Sequence, residues 1–204
     1  MRAVIVCGGT LNDYGYIKGQ IGGDDVIICA DSGYNHAVNM GLDVEIVVGD
    51  FDSVKHLPPD MRTLRYPARK DYTDTELAIE HARSVGFKDF LIVAALGNRM
   101  DHSVTNILML KDFAERGEKV VLLDESNRVT VTDSTVRICG KKGAVVSLVP
   151  VTYCSGVTSE GLEYPLDGIG LHVGKGLGIS NVMTADEAVV SVKSGILLVM
   201  VIDE

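Results

Sequence analysis

Four short apolar runs, each stopped by glycine or aspartate, constrain this chain more than any other feature. Ala3 to Val6 gives way to Gly8-Gly9, and Asp24 to Ala30 stops at Asp31-Ser32-Gly33. Ile46 to Val48 ends at Gly49-Asp50, and Phe90 to Ala95 is followed by Gly97. Unbroken apolar runs of this length predict strands buried on both faces, the signature of a parallel sheet covered by helices. Helical segments fall between them. Tyr34 to Met40 is closed by Gly41, and Thr73-Asp74-Thr75-Glu76 carries a capping box that opens a helix to about Val85. A helix from about Ser103 to Arg116 ends at Gly117, and Lys119 to Leu123 reads as a further strand. Arg62 to Tyr66, after Pro58-Pro59, is a weaker one. The alternation predicts an α/β, Rossmann-like domain over residues 1–124. In such sheets ligands bind beyond the carboxyl ends of the strands, an edge that here collects Gly8, Asp31, Asp50, Asp52, Asn98 and Asp101.

The rhythm changes near Asp124. From Arg128 onward no helical period is visible, and short β-rich runs take over: Val129–Thr132, Val136–Cys139, Ala144–Val149, Gly156–Ser159, Ala188–Val192 and Ile196–Ile202. Turn residues separate them, and Lys193-Ser194-Gly195 predicts a hairpin joining the last two. Residues 125–204 therefore read as a smaller all-β domain, a sandwich, with no flexible linker before it.

Composition narrows the partners. A net charge of −9, with no lysine- or arginine-rich run, argues against a nucleic acid held through its phosphates. The longest apolar run, Ile196 to Ile202, is too short to span a bilayer, so no membrane partner is expected. Cys7, Cys29, Cys139 and Cys154 form no Cys-x-x-Cys pair and sit among β-branched residues. They predict buried free thiols in a reducing cytoplasm. The first residues do not fit a signal peptide.

Three polar clusters follow strand ends or open helices. In Gly49-Asp50-Phe51-Asp52-Ser53, two carboxylates one residue apart point the same way from an extended backbone. Their repulsion is relieved by a hard cation with oxygen ligands, Mg²⁺; the plainer reading is a polar turn. The second cluster is Arg69-Lys70-Asp71-Tyr72-Thr73-Asp74, and the third is Gly97-Asn98-Arg99-Met100-Asp101-His102, with Asn106 one turn on. Helix N-termini suit phosphates or a carboxylate cap. Carboxylates beside basic residues on one sheet edge suit a metal–polyphosphate site. Neither a Gly-x-x-x-x-Gly-Lys-Ser/Thr loop nor a Gly-x-Gly-x-x-Gly fingerprint is present.

The order of these motifs resembles the thiamine pyrophosphokinases. The segments that carry the resemblance are Ala30-Asp31-Ser32-Gly33, Gly49-Asp50-Phe51-Asp52-Ser53, Lys70-Asp71-Tyr72-Thr73-Asp74 and Gly97 to His102 with Asn106. Gly161 to Leu166 and Gly178-Ile179-Ser180-Asn181 extend it into the β-rich part. The resemblance implies an α/β catalytic domain, a thiamine-binding β-sandwich and a homodimer with active sites between subunits. It implies transfer of the pyrophosphoryl group of MgATP to the hydroxyl of thiamine, releasing AMP. By the same resemblance Asp50, Asp52 and Asp74 hold Mg²⁺, with Arg99 beside them in catalysis. Asp31, Asp71, Thr73, Asp101 and Asn106 shape the nucleotide and phosphate site, and Ser180 and Asn181 line the thiamine pocket. Two departures stand out: Ser32 replaces a glycine of the first motif, and Val182 stands where an acidic residue is common.

Three other readings share some of these residues. A pyrophosphokinase acting on another small alcohol, such as a hydroxymethylpterin, would keep the catalytic domain and change the acceptor. A nucleotide or vitamin sensor would keep the fold without needing the carboxylates. A metal-dependent nucleotide-sugar transferase would use the Asp-x-Asp pair and release a nucleoside diphosphate.

Overall fold

The computed structural model describes residues 1–67 and 71–202. The chain divides into two compact units, Met1–Ile107 with Leu122–Glu125, and Leu108–Val121 with Ser126–Glu204. The division crosses helix α4 (Met100–Arg116) and strand β6 (Lys119–Leu123) rather than falling at one point of the chain.

The first unit contains β1 (Ala3–Val6), α1 (Tyr14–Gly19), β2 (Val26–Ala30), α2 (Gly33–Met40), β3 (Val44–Gly49), β4 (Thr63–Arg65), α3 (Asp74–Ser84) and β5 (Asp89–Val93). Its strands lie in the order β5-β1-β2-β3-β4, and every pairing is parallel. All four residues of β1 are buried, as are the last four of β2, β3 and β5. Burial of consecutive residues means both faces are covered, which is why these segments show no apolar–polar alternation. The chain runs outward from β1 through β2, β3 and β4 and then returns to β5 on the other side of β1. The loops after β1 and β5 therefore leave in opposite directions and open a crevice at the carboxyl edge.

Local chemistry sets the helix ends. Thr73 accepts the Glu76 amide on its side chain while Glu76 accepts the Thr73 amide, so the predicted capping box forms at the start of α3. Gly41 closes α2 in the left-handed conformation. Gly33 opens α2 with no room for a side chain: a Cβ there would sit 1.9 Å from the Val6 carbonyl oxygen. That close approach seats α2 directly behind the end of β1. Helix α4 begins at Met100, three residues before the predicted start, which puts Asp101 and His102 inside its first turn. Helix α1 is not evident from the sequence. It has six residues, two of them glycine, and is nucleated by the Asp13 side chain accepting the Tyr16 amide.

The second unit contains β7 (Asn127–Thr132), β8 (Thr135–Cys139), β9 (Val145–Pro150), β10 (Cys154–Glu160), β11 (Ile169–Leu171), β12 (Asn181–Val182), β13 (Glu187–Ser191) and β14 (Leu197–Ile202). One antiparallel set runs β12-β9-β14-β7 and the other β11-β10-β13-β8. Alternate residues from both, such as Val146 and Leu148, Ala188 and Val190, and Leu197, Val199 and Val201, meet in one buried cluster. That is the period-2 pattern of strands with one inward face.

The predicted hairpin over Lys193-Ser194-Gly195 does not form. β13 pairs with β8 and β10, whereas β14 pairs with β7 and β9, so the turn carries the chain from one sheet to the other. A bridge between Ser155 and Ser194 anchors the crossing. The cysteine expectation also needs one correction. Cys7, Cys29 and Cys154 are buried free thiols, but Cys139 is exposed at the end of β8. Among the described residues no helix is long and apolar enough to cross a membrane.

Candidate active site

The carboxyl ends of the parallel strands surround a cavity of about 790 Å³, lined among the described residues by the first unit alone. β1 contributes Gly8 and Gly9, β2 Asp31 and Ser32, β3 Asp50 and Asp52, and β5 the loop from Ala94 to Arg99. The N-terminus of α3 adds Thr73 and Asp74.

Parallel register brings the acidic residues together. Ala30 pairs with Val48, so Asp31 and Asp50 emerge from adjacent strands at nearly the same level. Carboxylate oxygens of Asp31, Asp50 and Asp52 lie within 4.8 Å of one another. Asp31 is buried, Asp50 half-buried and Asp52 exposed, so the group grades from the protein interior to solvent. Burial pushes the Asp31 carboxyl above its ordinary pKa. The Asp74 and Asp50 charges add to that, against hydrogen bonds from the Ser32 and Phe51 amides. Like charges held this close without a counterion raise the free energy of the site. A set of hard oxygen donors relieves it by taking up a hard divalent cation.

The backbone is strained at the same edge. Asp31 and Ala94, immediately beyond β2 and β5, and Phe51, two residues beyond β3, adopt positive φ of 44°, 53° and 68°. For non-glycine residues this conformation costs roughly 1–2 kcal/mol each. Such strain persists where surrounding contacts over-determine the chain, and it collects at functional sites. At Phe51 one of those contacts is visible, an amide donated to Asp31 at 3.0 Å.

The remaining predicted residues fall into distinct positions. Asp74 lines the cavity and acts electrostatically on Asp31, but it is not one of the three carboxylates that converge. Thr73 lines the cavity and caps α3. Arg99 also lines it, holding Asp101 in a two-point pair at 3.0 and 2.7 Å in solvent. The Arg99 guanidinium holds the Asp101 carboxyl well below the usual carboxylate range. Asn106 is buried and donates to the Ala95 carbonyl at 2.7 Å, so it shapes the loop after β5 from beneath. Asp71 is exposed and not part of the cavity wall. Arg69 and Lys70 lie outside the described residues.

Ser180 and Asn181 belong to the second unit. Ser180 is exposed, with φ of 59°. Asn181 is buried and occupied within its own unit. Its Oδ1 accepts the Tyr164 and Val182 amides at 3.0 and 2.9 Å, and its Nδ2 donates to the Tyr164 carbonyl at 2.7 Å.

Two sets of supporting residues carry no signal in the sequence. Glu125 accepts the amides of Asn12 and Asp13, 113 and 112 residues away. His36, hydrogen-bonded to Tyr14, reaches the Gly9 carbonyl at 2.9 Å. Together they fix the loop that follows β1. Asn35 and Arg65 grip the Asp50–Asp52 turn in a similar way. Each contact depends on tertiary register, which local spacing does not encode.

Residues 20–122 match the family described as thiamin pyrophosphokinase, catalytic domain, and residues 126–197 match thiamin pyrophosphokinase, vitamin B1 binding domain. The thiamine pyrophosphokinase of Bacillus subtilis is 26% identical over 207 residues, covering 96% of each chain. The crystal structure of thiamine pyrophosphokinase from Bacillus subtilis superimposes with a TM-score of 0.90 at 24% identity, covering 100% of both chains. That of the thiamin pyrophosphokinase from Geobacillus thermodenitrificans gives 0.86 at 26% identity, covering 100% of this chain and 98% of the other. The chain belongs to the thiamine pyrophosphokinase family.

Proposed function

We propose that this chain catalyses transfer of the pyrophosphoryl group of ATP to the hydroxyl of thiamine, giving thiamine diphosphate and AMP. The observation that carries the reading is the convergence of Asp31, Asp50 and Asp52 at the carboxyl edge of a parallel sheet, beside a cavity, in a chain of this family. We read the first unit as a Rossmann-like catalytic domain and the antiparallel sheets as a thiamine-binding sandwich, with a functional boundary near residues 124–125.

In the reaction the thiamine hydroxyl oxygen forms a bond to the β-phosphorus while the bond from that phosphorus to the α,β-bridging oxygen breaks. AMP leaves with the electron pair, and the hydroxyl proton is released. Asp31, Asp50 and Asp52 are proposed to hold Mg²⁺, with Asp74 completing the negative wall. Bound there, the ion neutralises polyphosphate oxygens and stabilises charge that develops on transfer. Asp74 and Asp52 orient the attacking hydroxyl. Thr73, by capping α3, holds the positive N-terminal end of that helix at the cavity, where it suits a phosphate, and Arg99 supplies a positive charge at the rim. Asp101 orients Arg99, Asn106 sets the loop after β5, and Asp71 approaches the nucleotide from solvent. On the acceptor side Ser180 touches thiamine, and Asn181 holds the turn that presents it. A homodimer working in the cytoplasm completes the proposal.

The hydroxymethylpterin alternative is not favoured, because the family match continues through a vitamin B1 binding domain over residues 126–197. Incubation with ATP, Mg²⁺ and either thiamine or the pterin, followed by chromatography of nucleotides and products, tests the reading. AMP and thiamine diphosphate in equal amounts are expected. Turnover of the pterin alone, or release of ADP, overturns it.

A further inference from the structure

The three converging carboxylates repel one another, yet the turn that carries two of them is pinned from both ends by residues outside the cluster. At one end Arg65, on β4, donates from Nη2 to the Asp50 carbonyl at 3.2 Å, and its guanidinium lies 5.5 Å from the centre of the Phe51 ring. At the other end Asn35, on α2, donates to the Ser53 carbonyl at 3.3 Å and accepts the Lys55 amide at 3.2 Å. Between the pins Phe51 holds its left-handed conformation, which directs Asp50 and Asp52 toward Asp31. Neither Arg65 nor Asn35 is a member of the carboxylate cluster. Each acts on backbone groups that set where those oxygens stand.

We infer that Asn35 and Arg65 are positioning residues that preset the Asp50–Asp52 turn for a divalent cation, so that cation affinity depends on them more than turnover at saturation does. The inference rests on the proposed function, in which the cluster holds the ion. Binding sites are strengthened when their ligands are fixed in advance, because the ordering cost is met during folding rather than on binding. Arg65 suits the task for a chemical reason. Its planar fork reaches a carbonyl while its face covers an aromatic ring, two contacts that a lysine does not make together.

The test uses Mn²⁺ as probe, titrated into the whole protein and followed by water-proton relaxation, beside Mg²⁺ activation of thiamine diphosphate formation. Asn35→Ala and Arg65→Met are each expected to weaken Mn²⁺ binding about tenfold and to raise the Mg²⁺ activation constant similarly. The kcat at saturating Mg²⁺ should stay within about threefold of wild type. Arg65→Lys, which keeps the charge and can still reach the Asp50 carbonyl, is expected to recover part of the affinity. It also serves as the second variant should Arg65→Met fail to fold. Unchanged Mn²⁺ affinity in the folded variants, with normal binding by wild type, overturns the positioning role and leaves the cluster reading intact. Wild type that binds no Mn²⁺ overturns both.

Discussion

The Asp31 carboxylate accepts the Phe51 amide at 3.0 Å and thereby ties the end of β2 to the turn after β3. One oxygen is used in holding the backbone of the residue that separates Asp50 from Asp52. The same side chain is thus both a member of the acidic cluster and part of what builds it.

Replacing Asp31 by asparagine separates these roles, since the amide oxygen can still accept from Phe51 while the charge is gone. Activity is expected to fall by at least about tenfold, from the loss of one negatively charged ligand of the proposed cation site. Stability should move the other way. Burial, with Asp74 and Asp50, raises the native pKa of Asp31, so its contribution is most favourable at low pH and is lost as pH rises through that value. In chelator, Asp31→Asn should melt higher than wild type near neutral pH, with the difference vanishing below about pH 4. Thermal unfolding from acid to neutral pH checks this; a lower melting point at pH 7 would refute it.

Asp25 predicts the opposite pH dependence. Burial alone would raise its pKa, but the Arg2 guanidinium at 2.5 Å and the Gly22 amide at 2.8 Å outweigh it and hold the carboxyl below its ordinary value. Stability from this contact is present above the unfolded pKa near 3.9 and lost as pH falls through the lower native one. Asp25→Asn should cost about 0.5–1 kcal/mol at neutral pH and nothing in strong acid. Denaturant melts at pH 7 and pH 2 measure both.

Thiol reactivity should single out one residue. Burial pushes the Cys7 thiol up to about 12 and raises those of Cys29 and Cys154, while Cys139 is exposed. Only thiolate reacts. A disulfide reagent should titrate one cysteine in the native protein and all four after denaturation. Peptide mapping that finds Cys7 labelled in the native state would contradict the buried placement.

Ser180 and Asn181 should respond differently to alanine. Asn181 makes three hydrogen bonds while buried, and its loss strands the Tyr164 backbone, at a cost of about 2–4 kcal/mol. Ser180→Ala should leave the melting temperature within about 2 °C, because the side chain is exposed. It should instead raise the KM for thiamine. Calorimetry with steady-state kinetics distinguishes the two; a KM unchanged by Ser180→Ala removes it from the acceptor side.

Much of this was legible in the sequence, and the boundary of legibility has a physical cause. Strands such as Ala3–Val6 and Val26–Ala30 announce themselves because burial on both faces demands consecutive apolar residues. The start of α3 is equally plain, because Thr73 and Glu76 satisfy each other within one turn. What fails to show is anything decided by distant partners. The Lys193-Ser194-Gly195 turn looks like a hairpin locally, but the pairing of β13 with β8 and of β14 with β7 sends its two sides to different sheets. β11 and β12 have three and two residues, too few for any periodicity. Asp31 joins Asp50 and Asp52 through the register of β2 on β3, and no spacing along the chain states that register.

The most direct test of the account is the rate at which Asp52→Asn forms thiamine diphosphate and AMP from MgATP and thiamine, compared with wild type at saturating Mg²⁺. If acidic groups from β2 and β3 gather the cation that makes transfer possible, the variant should be at least roughly a hundredfold slower while retaining the native fold. A folded variant that forms both products at the wild-type rate would contradict it.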